Sequence, residues 1–203
     1  MRGVKGTRGG LRPTTIWRPI LQPACDHGLM TACRLITPAD APALADLVRT
    51  NRDFLAPFEP LRGEDYFTEA GQRADIEQAL ERHEIGNALP CVILDDGGSV
   101  VGRITLNGIV RGAFQSCSVG YWVSAAAGKR GLATAALRGI KATAFRDLGL
   151  HRIQAETLLH NVASERVLER NGFARIGLAP AYLKIAGHWQ DCHLYQVIND
   201  EVP

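Results

Sequence analysis

The 203-residue sequence contains no run of eighteen consecutive apolar residues and no apolar stretch behind the positive charges at its start, so neither a membrane span nor a secretory signal is supported and a cytoplasmic protein is expected. Cys-x-x-Cys and paired-histidine spacings are also missing. The five cysteines (Cys25, Cys33, Cys91, Cys117, Cys192) are odd in number and widely spaced, which argues against a disulfide framework or a structural metal and for reduced, packed thiols. Acidic residues are absent before Asp26, whereas Arg2, Lys5, Arg8, Arg12 and Arg18 fall in that stretch. The remainder carries a slight excess of acid, so the sequence pI of about 8.3 does not describe a basic folded surface. No internal repeat is visible. With 46% hydrophobic and 22% charged residues, the chain can bury one substantial core, and one domain is the expectation.

Residues 1–15 hold too little apolar material to pack and read as a flexible basic arm, with the folded domain over 16–203. The arm is either a solvated tail or a weak RNA contact, and it lacks the interleaved aromatics that stack on bases. Residues 30–36 read as a strand, and Thr37-Pro38-Ala39-Asp40 caps a helix over 41–51 with Leu44, Leu47 and Val48 on one face. Residues 51–61, with two prolines and two phenylalanines, read as an apolar loop that either lines a pocket or covers core. A second amphipathic helix is expected over 68–83, marked by Ile76 and Leu80. Strands follow at 89–94, 100–106 and 114–123, with Asp95-Asp96-Gly97-Gly98 turning the first hairpin. Later come a strand at 151–158, a helix at 162–169, and strands near 174–184 and 188–197. That order is α/β with a mixed sheet, not a doubly wound parallel one.

Residues 121–146 (YWVSAAAGKRGLATAALRGIKATAFR) organise the rest: a strand end, a basic loop containing glycine, then an Ala-rich helix. The first turn of a helix has N–H groups without intrahelical partners, and its dipole favours negative charge there. Lys129 and Arg130 add charge, Gly131 permits close backbone approach, and Ala133 and Thr134 keep side chains small, a pattern suited to phosphate although many such turns bind nothing. Ala133, Leu137, Ile140, Ala144 and Leu148 give the helix a buried face, and Gly149 stops it. Arg130 after Lys129 excludes a Walker loop, and Gly128 with Gly131 makes only part of a dinucleotide fingerprint. Gly120, inside a strand pattern, marks a bulge or close approach. A strand that splays there would leave backbone groups of Tyr121, Trp122 and Val123 for an extended ligand with amides at one end and a pyrophosphate further along, a description that fits coenzyme A.

These residues resemble the GNAT acetyltransferases, and within them the ribosomal-protein-alanine N-acetyltransferases of the RimJ/RimL type. GYWVSAAAGKRGLATAAL is similar to the family's coenzyme A segment, where Gly131, Leu132 and Ala133 match the end of the motif and Gly128 departs from its usual Gln or Arg. HNVASERVLERNGF resembles the following helix, through Asn161, Ser164, Gly172 and Phe173. NRDFLAPFEP, with Phe58, and AGHWQDCHLY, with Trp189, Asp191 and Tyr195, are similar to acceptor-side segments. The resemblance runs from about Trp17 to Ile198. It implies a mixed sheet of six or seven strands flanked by helices and splayed between the fourth and fifth, where acetyl-CoA and acceptor meet from opposite sides. It also implies pantetheine contact at Tyr121 to Val123, pyrophosphate contact at Lys129 to Thr134, and contact of the thiol-end arm with Asn161. The implied reaction moves acetyl from acetyl-CoA to a protein N-terminus, a ribosomal protein being the expected acceptor. A small amine acceptor, or a non-catalytic CoA-binding or ribosome-associated module, are the alternatives. No metal and no membrane contact are expected, and the chain is taken as monomer or homodimer.

Acetyl transfer needs an unprotonated amine, an oxyanion donor and a proton for the departing thiolate. An α-amino group with a pKa of ~8 needs only a modest base. Glu156, five residues before Asn161 in an apolar strand, sits where related N-terminal acetyltransferases place a catalytic glutamate; it faces either the splay or solvent. Leu168 stands where many members carry a proton-donating tyrosine. Ser164 matches a serine given that role in related enzymes, or else caps its helix. The Val123 N–H is the oxyanion candidate. Trp189, Asp191 and Tyr195 alternate and so share a face, with Asp191 open to an acceptor ammonium group or to a structural ion pair.

Overall fold

The computed structural model describes residues 32–200. The basic arm, the domain start at residue 16, Cys25 and the first part of the strand expected over 30–36 lie outside the described residues. β1 is Cys33–Leu35. Thr37 and Asp40 then form a capping box, in which the Asp40 carboxylate accepts the Thr37 N–H at 2.8 Å and also pairs with Arg34. α1 (Ala41–Thr50) follows, burying Ala41, Leu44, Ala45 and Val48. α3 (Glu69–Glu84) is capped by Thr68, whose hydroxyl accepts the Gly71 N–H at 3.0 Å, and it buries Ile76 and Ala79. β2 (Leu89–Leu94), β3 (Val100–Val110) and β4 (Ser116–Val123) form an antiparallel meander. α4 (Leu132–Ala142) runs on into a π-helical turn over Thr143–Asp147, so the expected helix is present but its last turn is wider. β5 (Arg152–Leu158), α5 (Val162–Arg170), β6 (Ala174–Ile185) and β7 (His188–Ile198) complete the chain.

Among the described residues these strands make one seven-stranded mixed sheet in the order β1-β2-β3-β4-β5-β7-β6, with β4 and β5 as its parallel pair. Strand alternation sends the two sets of apolar side chains to opposite faces. On one face, Cys91, Ile93, Ile104, Leu106 and Ile153 pack with Leu137, Ile140, Ala144 and Leu168 of the α4–α5 side. On the other, Val92 packs with Ile36, Leu44 and Ile76 of the α1–α3 side.

Residues 51–61 differ from the irregular loop that their prolines suggest. Arg52–Leu55 form one helical turn (α2) and Ala56–Phe58 a tight 3-10 turn. Pro57 sits at the start of that turn, where its missing N–H costs nothing, and buried Leu55 anchors the segment through a 2.8 Å bond from its N–H to the Asn51 carbonyl.

β3 and β4 approach so closely at Gly102 that a Cβ there would lie 2.1 Å from the Trp122 carbonyl oxygen. Gly102→Ala is therefore expected to cost about 3 kcal/mol and to lower Tm by roughly 10 °C. A thermal melt with unchanged Tm would contradict this close approach.

Candidate active site

β4 and β5 pair only through Ser116↔Arg152, Cys117↔Ile153 and Ser118↔Gln154. Beyond these the strands diverge, in the place where Gly120 interrupts the strand pattern. The Ser124 N–H bonds the Val101 carbonyl at 2.8 Å and the Trp122 carbonyl leans over Gly102, so Trp122 and Ser124 turn their backbone groups to β3. By strand alternation the N–H and C=O groups of Tyr121 and Val123 turn to the gap. A cavity of about 370 Å³ passes through this gap, lined on one wall by Gly120, Tyr121 and Trp122 and on the other by Glu156, Asn161 and Ser164.

The basic loop lies beyond the end of β4. Lys129 (φ 61°) and Gly131 (φ 79°) both adopt the left-handed conformation, and Gly131 is the N-cap of α4 with no side chain capping it. Alternating left-handed residues turn successive N–H groups inward as an anion-binding nest, and the helix dipole adds to it. Leu132 is buried, Ala133 and Thr134 are half-buried, and Lys129, Arg130 and Gly131 are exposed at the mouth. Arg130 reaches back 3.3 Å to Asp96 in the β2–β3 turn. Gly128 has its own reason to lack a side chain: a Cβ there would stand 3.0 Å from the Ala125 carbonyl oxygen.

Asn161 caps α5, accepting the Ser164 N–H on its side-chain oxygen at 3.1 Å. Ser164 Oγ lies 2.9 Å from the Tyr121 hydroxyl, which joins strand to helix across the cavity. The end of α5 is tied to α4 through Asn171, whose side-chain amide donates to the Thr134 carbonyl at 3.3 Å and whose backbone carbonyl accepts Lys141 Nζ at 2.7 Å.

Glu156 is half-buried on the cavity wall rather than on a solvent face. Burial raises its carboxyl above the ordinary 4.5, outweighing the opposing bond from its own backbone N–H. Among the described residues no cation pairs with it. Phe58 stands near it, in an apolar patch with Leu158 and Ile185 and 5.7 Å from the His160 ring. The same end of the cavity holds residues that the sequence reading left out. Glu59 is partly enclosed and raised by burial, its carbonyl accepts the Ala186 N–H at 2.9 Å, and Arg62 lies 3.9 Å from its carboxylate; Arg103 pairs with Asp75. An acid between two prolines in an apolar segment was the available signal for Glu59; Asp75 and Arg103 meet only through tertiary packing.

The three residues expected to alternate toward an acceptor lie elsewhere. Tyr195 pairs with Ala155 and is buried in the α4–α5 core. The Asp191 carboxylate accepts the Ala181 N–H at 2.8 Å, where β6 bulges opposite it with Ala181 at φ 47°. Trp189 is exposed near the β6–β7 turn. The parity was as expected, but it belongs to the face of the sheet opposite Glu156, which pairs with Leu194.

The profile of the Acetyltransferase (GNAT) domain matches residues 32–174. The [Ribosomal protein uS5]-alanine N-acetyltransferase of Escherichia coli (strain K12) is 35% identical over 159 residues, 78% of this chain and 82% of that protein. The crystal structure of ribosomal-protein-S5-alanine acetyltransferase from Vibrio fischeri matches with a TM-score of 0.79 and 32% identity, covering 84% of this chain and 94% of that one. Mycobacterium smegmatis RimJ in complex with CoA-disulfide matches with a TM-score of 0.80 and 31% identity, covering 84% of this chain and 83% of that one. The chain belongs to the GNAT acetyltransferase family and is an acetyl-CoA-dependent N-acetyltransferase.

Proposed function

We propose that the protein acetylates the α-amino group of a protein N-terminus, a ribosomal protein being the acceptor, by direct attack in a ternary complex. The observation that carries this reading is Glu156: a half-buried carboxylate with no cation paired to it among the described residues, on the wall of a cavity that opens between β4 and β5. An ammonium group entering from the Phe58 side meets a carboxylate there. The naming of the Escherichia coli and Vibrio fischeri relatives for alanine N-acetylation of a ribosomal protein supports the choice of acceptor.

In this reading the backbone N–H groups of Gly131, Leu132, Ala133 and Thr134 hold the pyrophosphate, with Lys129 and Arg130 adding charge. The backbone of Tyr121 to Val123 holds the pantetheine amides, Trp122 serving mainly to seat the strand, and the Asn161 cap directs the thiol-end arm. Glu156 takes the proton that the acceptor nitrogen must lose, directly or through one water. The Val123 N–H stabilises the oxygen that becomes negative as nitrogen adds to the carbonyl. Ser164 supplies a proton to the departing sulfur, and Phe58 packs on the first acceptor residue.

Free-thiol release from acetyl-CoA, measured with Ala- and Ser-starting peptides beside an aminoglycoside and a polyamine, tests the acceptor class. Turnover with the peptides alone is the expected result. Turnover with the small amines alone would overturn the acceptor and leave the coenzyme site standing, and acetyl-CoA binding without turnover would overturn the enzyme mechanism.

A further inference from the structure

Leu168 is completely buried and lines the cavity, so this position of α5 offers no hydroxyl to the reaction. One turn earlier, the same helix receives a hydroxyl from the facing strand. The Tyr121 oxygen lies 2.9 Å from Ser164 Oγ and 3.3 Å from the Ser164 carbonyl oxygen. A carbonyl only accepts, so the phenolic proton is drawn between these two oxygens. Either hydroxyl of the pair can donate; when the phenol donates to Ser164 Oγ, the Ser164 O–H proton turns to the cavity. The Ser164 N–H is meanwhile held by Asn161 at 3.1 Å, which fixes the residue from its other side. Tyr121 packs against the main core, so its ring has little freedom to move away.

We propose that Tyr121 is a positioning residue for the thiol end of acetyl-CoA, orienting the Ser164 hydroxyl toward the departing sulfur. This rests on the acetyl-transfer reading above. As the C–S bond breaks, its electron pair passes to sulfur. The Ser164 O–H proton moves to that sulfur while a water proton replaces it on Oγ, and the hydroxide so formed is neutralised by the proton that the acceptor nitrogen gives up to Glu156. Tyr121 keeps its own proton throughout. Its pKa, pushed up to about 12 by burial against the opposing effect of the Ser164 bond, suits a group that donates a hydrogen bond without ionising.

Steady-state kinetics of Tyr121→Phe, Ser164→Ala and the double variant test this, with the wild-type chain run alongside. Tyr121→Phe keeps the ring and is expected to lower kcat roughly tenfold with KM for acetyl-CoA within about twofold. Ser164→Ala should lower kcat at least as much, and adding Tyr121→Phe to it should cost nothing further, because the second hydroxyl then has nothing to orient. If Tyr121→Phe does not fold, Ser164→Thr substitutes for it as a probe: a hydroxyl retained beside Tyr121 should keep most of the rate. Wild-type kcat in Tyr121→Phe, a raised KM at unchanged kcat, multiplied losses in the double variant, or a Ser164→Thr enzyme as slow as Ser164→Ala would each overturn the proposal. Absence of turnover in the wild-type chain would overturn the acetyl-transfer reading and this proposal together, whereas normal wild-type turnover with an unaffected Tyr121→Phe overturns this proposal alone.

Discussion

Glu156→Gln is expected to lower kcat by about 100-fold and to leave acetyl-CoA affinity unchanged. Glutamine keeps the size and the hydrogen bonding of the side chain but cannot take a proton, and Glu156 lines the cavity away from the basic loop that holds the pyrophosphate in this reading. The pH profile gives the same result a sign. A base works when deprotonated, and burial sets the Glu156 carboxyl above its ordinary 4.5, so wild-type kcat/KM rises as pH climbs through a value above that figure. It rises again toward a pH of ~8 as the acceptor amine loses its own proton. The glutamine enzyme loses the first rise and keeps the second. Stability moves in the opposite direction. The folded chain holds the Glu156 proton to higher pH than the unfolded chain, so this carboxyl's contribution to stability declines as pH climbs from its unfolded value through its folded one. Glu156→Gln removes that decline. An enzyme that keeps its full kcat and its first pH limb as glutamine would exclude Glu156 as the base.

Gly131→Val is expected to weaken acetyl-CoA binding by roughly 100-fold. At φ 79° a Cβ on residue 131 meets no atom within 4 Å, so the effect is not a clash with the rest of the fold. It comes from the backbone: a β-branched residue resists the left-handed region, and the loop must rotate the N–H groups that form the nest to relieve it. The core beneath is untouched, because Leu132, Leu137 and Ile140 carry the packing of α4. Titration calorimetry reads the loss directly, and wild-type affinity in the valine variant would remove the pyrophosphate from this loop.

The basic loop was legible in the sequence because everything that builds it is local: a strand end, a glycine with left-handed φ and a helix start lie within a few residues. The mixed sheet was legible for a similar reason, since alternation and turn residues mark each strand separately. Sites that depend on how strands are placed beside one another were not. Tyr121 and Ser164 are 43 positions apart, and nothing short of the β4–β5 divergence brings them together. Trp189, Asp191 and Tyr195 do alternate as expected, but parity alone cannot say which face of the sheet they take. That face follows from the register of β7 against β5, where Tyr195 pairs with Ala155 and Glu156 with Leu194. In 51–61 the prolines suggest an irregular loop, although Pro57 falls second in the short turn Ala56–Phe58, where its missing N–H has no helical partner to lose.

In the proposed reaction, coenzyme and acceptor meet through the opening between β4 and β5 and acetyl passes directly between them. An initial-rate matrix, varying acetyl-CoA against several fixed concentrations of an Ala-starting peptide, tests it most directly when paired with mass spectrometry of enzyme and peptide. Direct transfer predicts intersecting reciprocal plots, acetyl found on the peptide α-amine, and no acetyl left on the protein when peptide is withheld. Parallel plots together with an acetylated protein would contradict it.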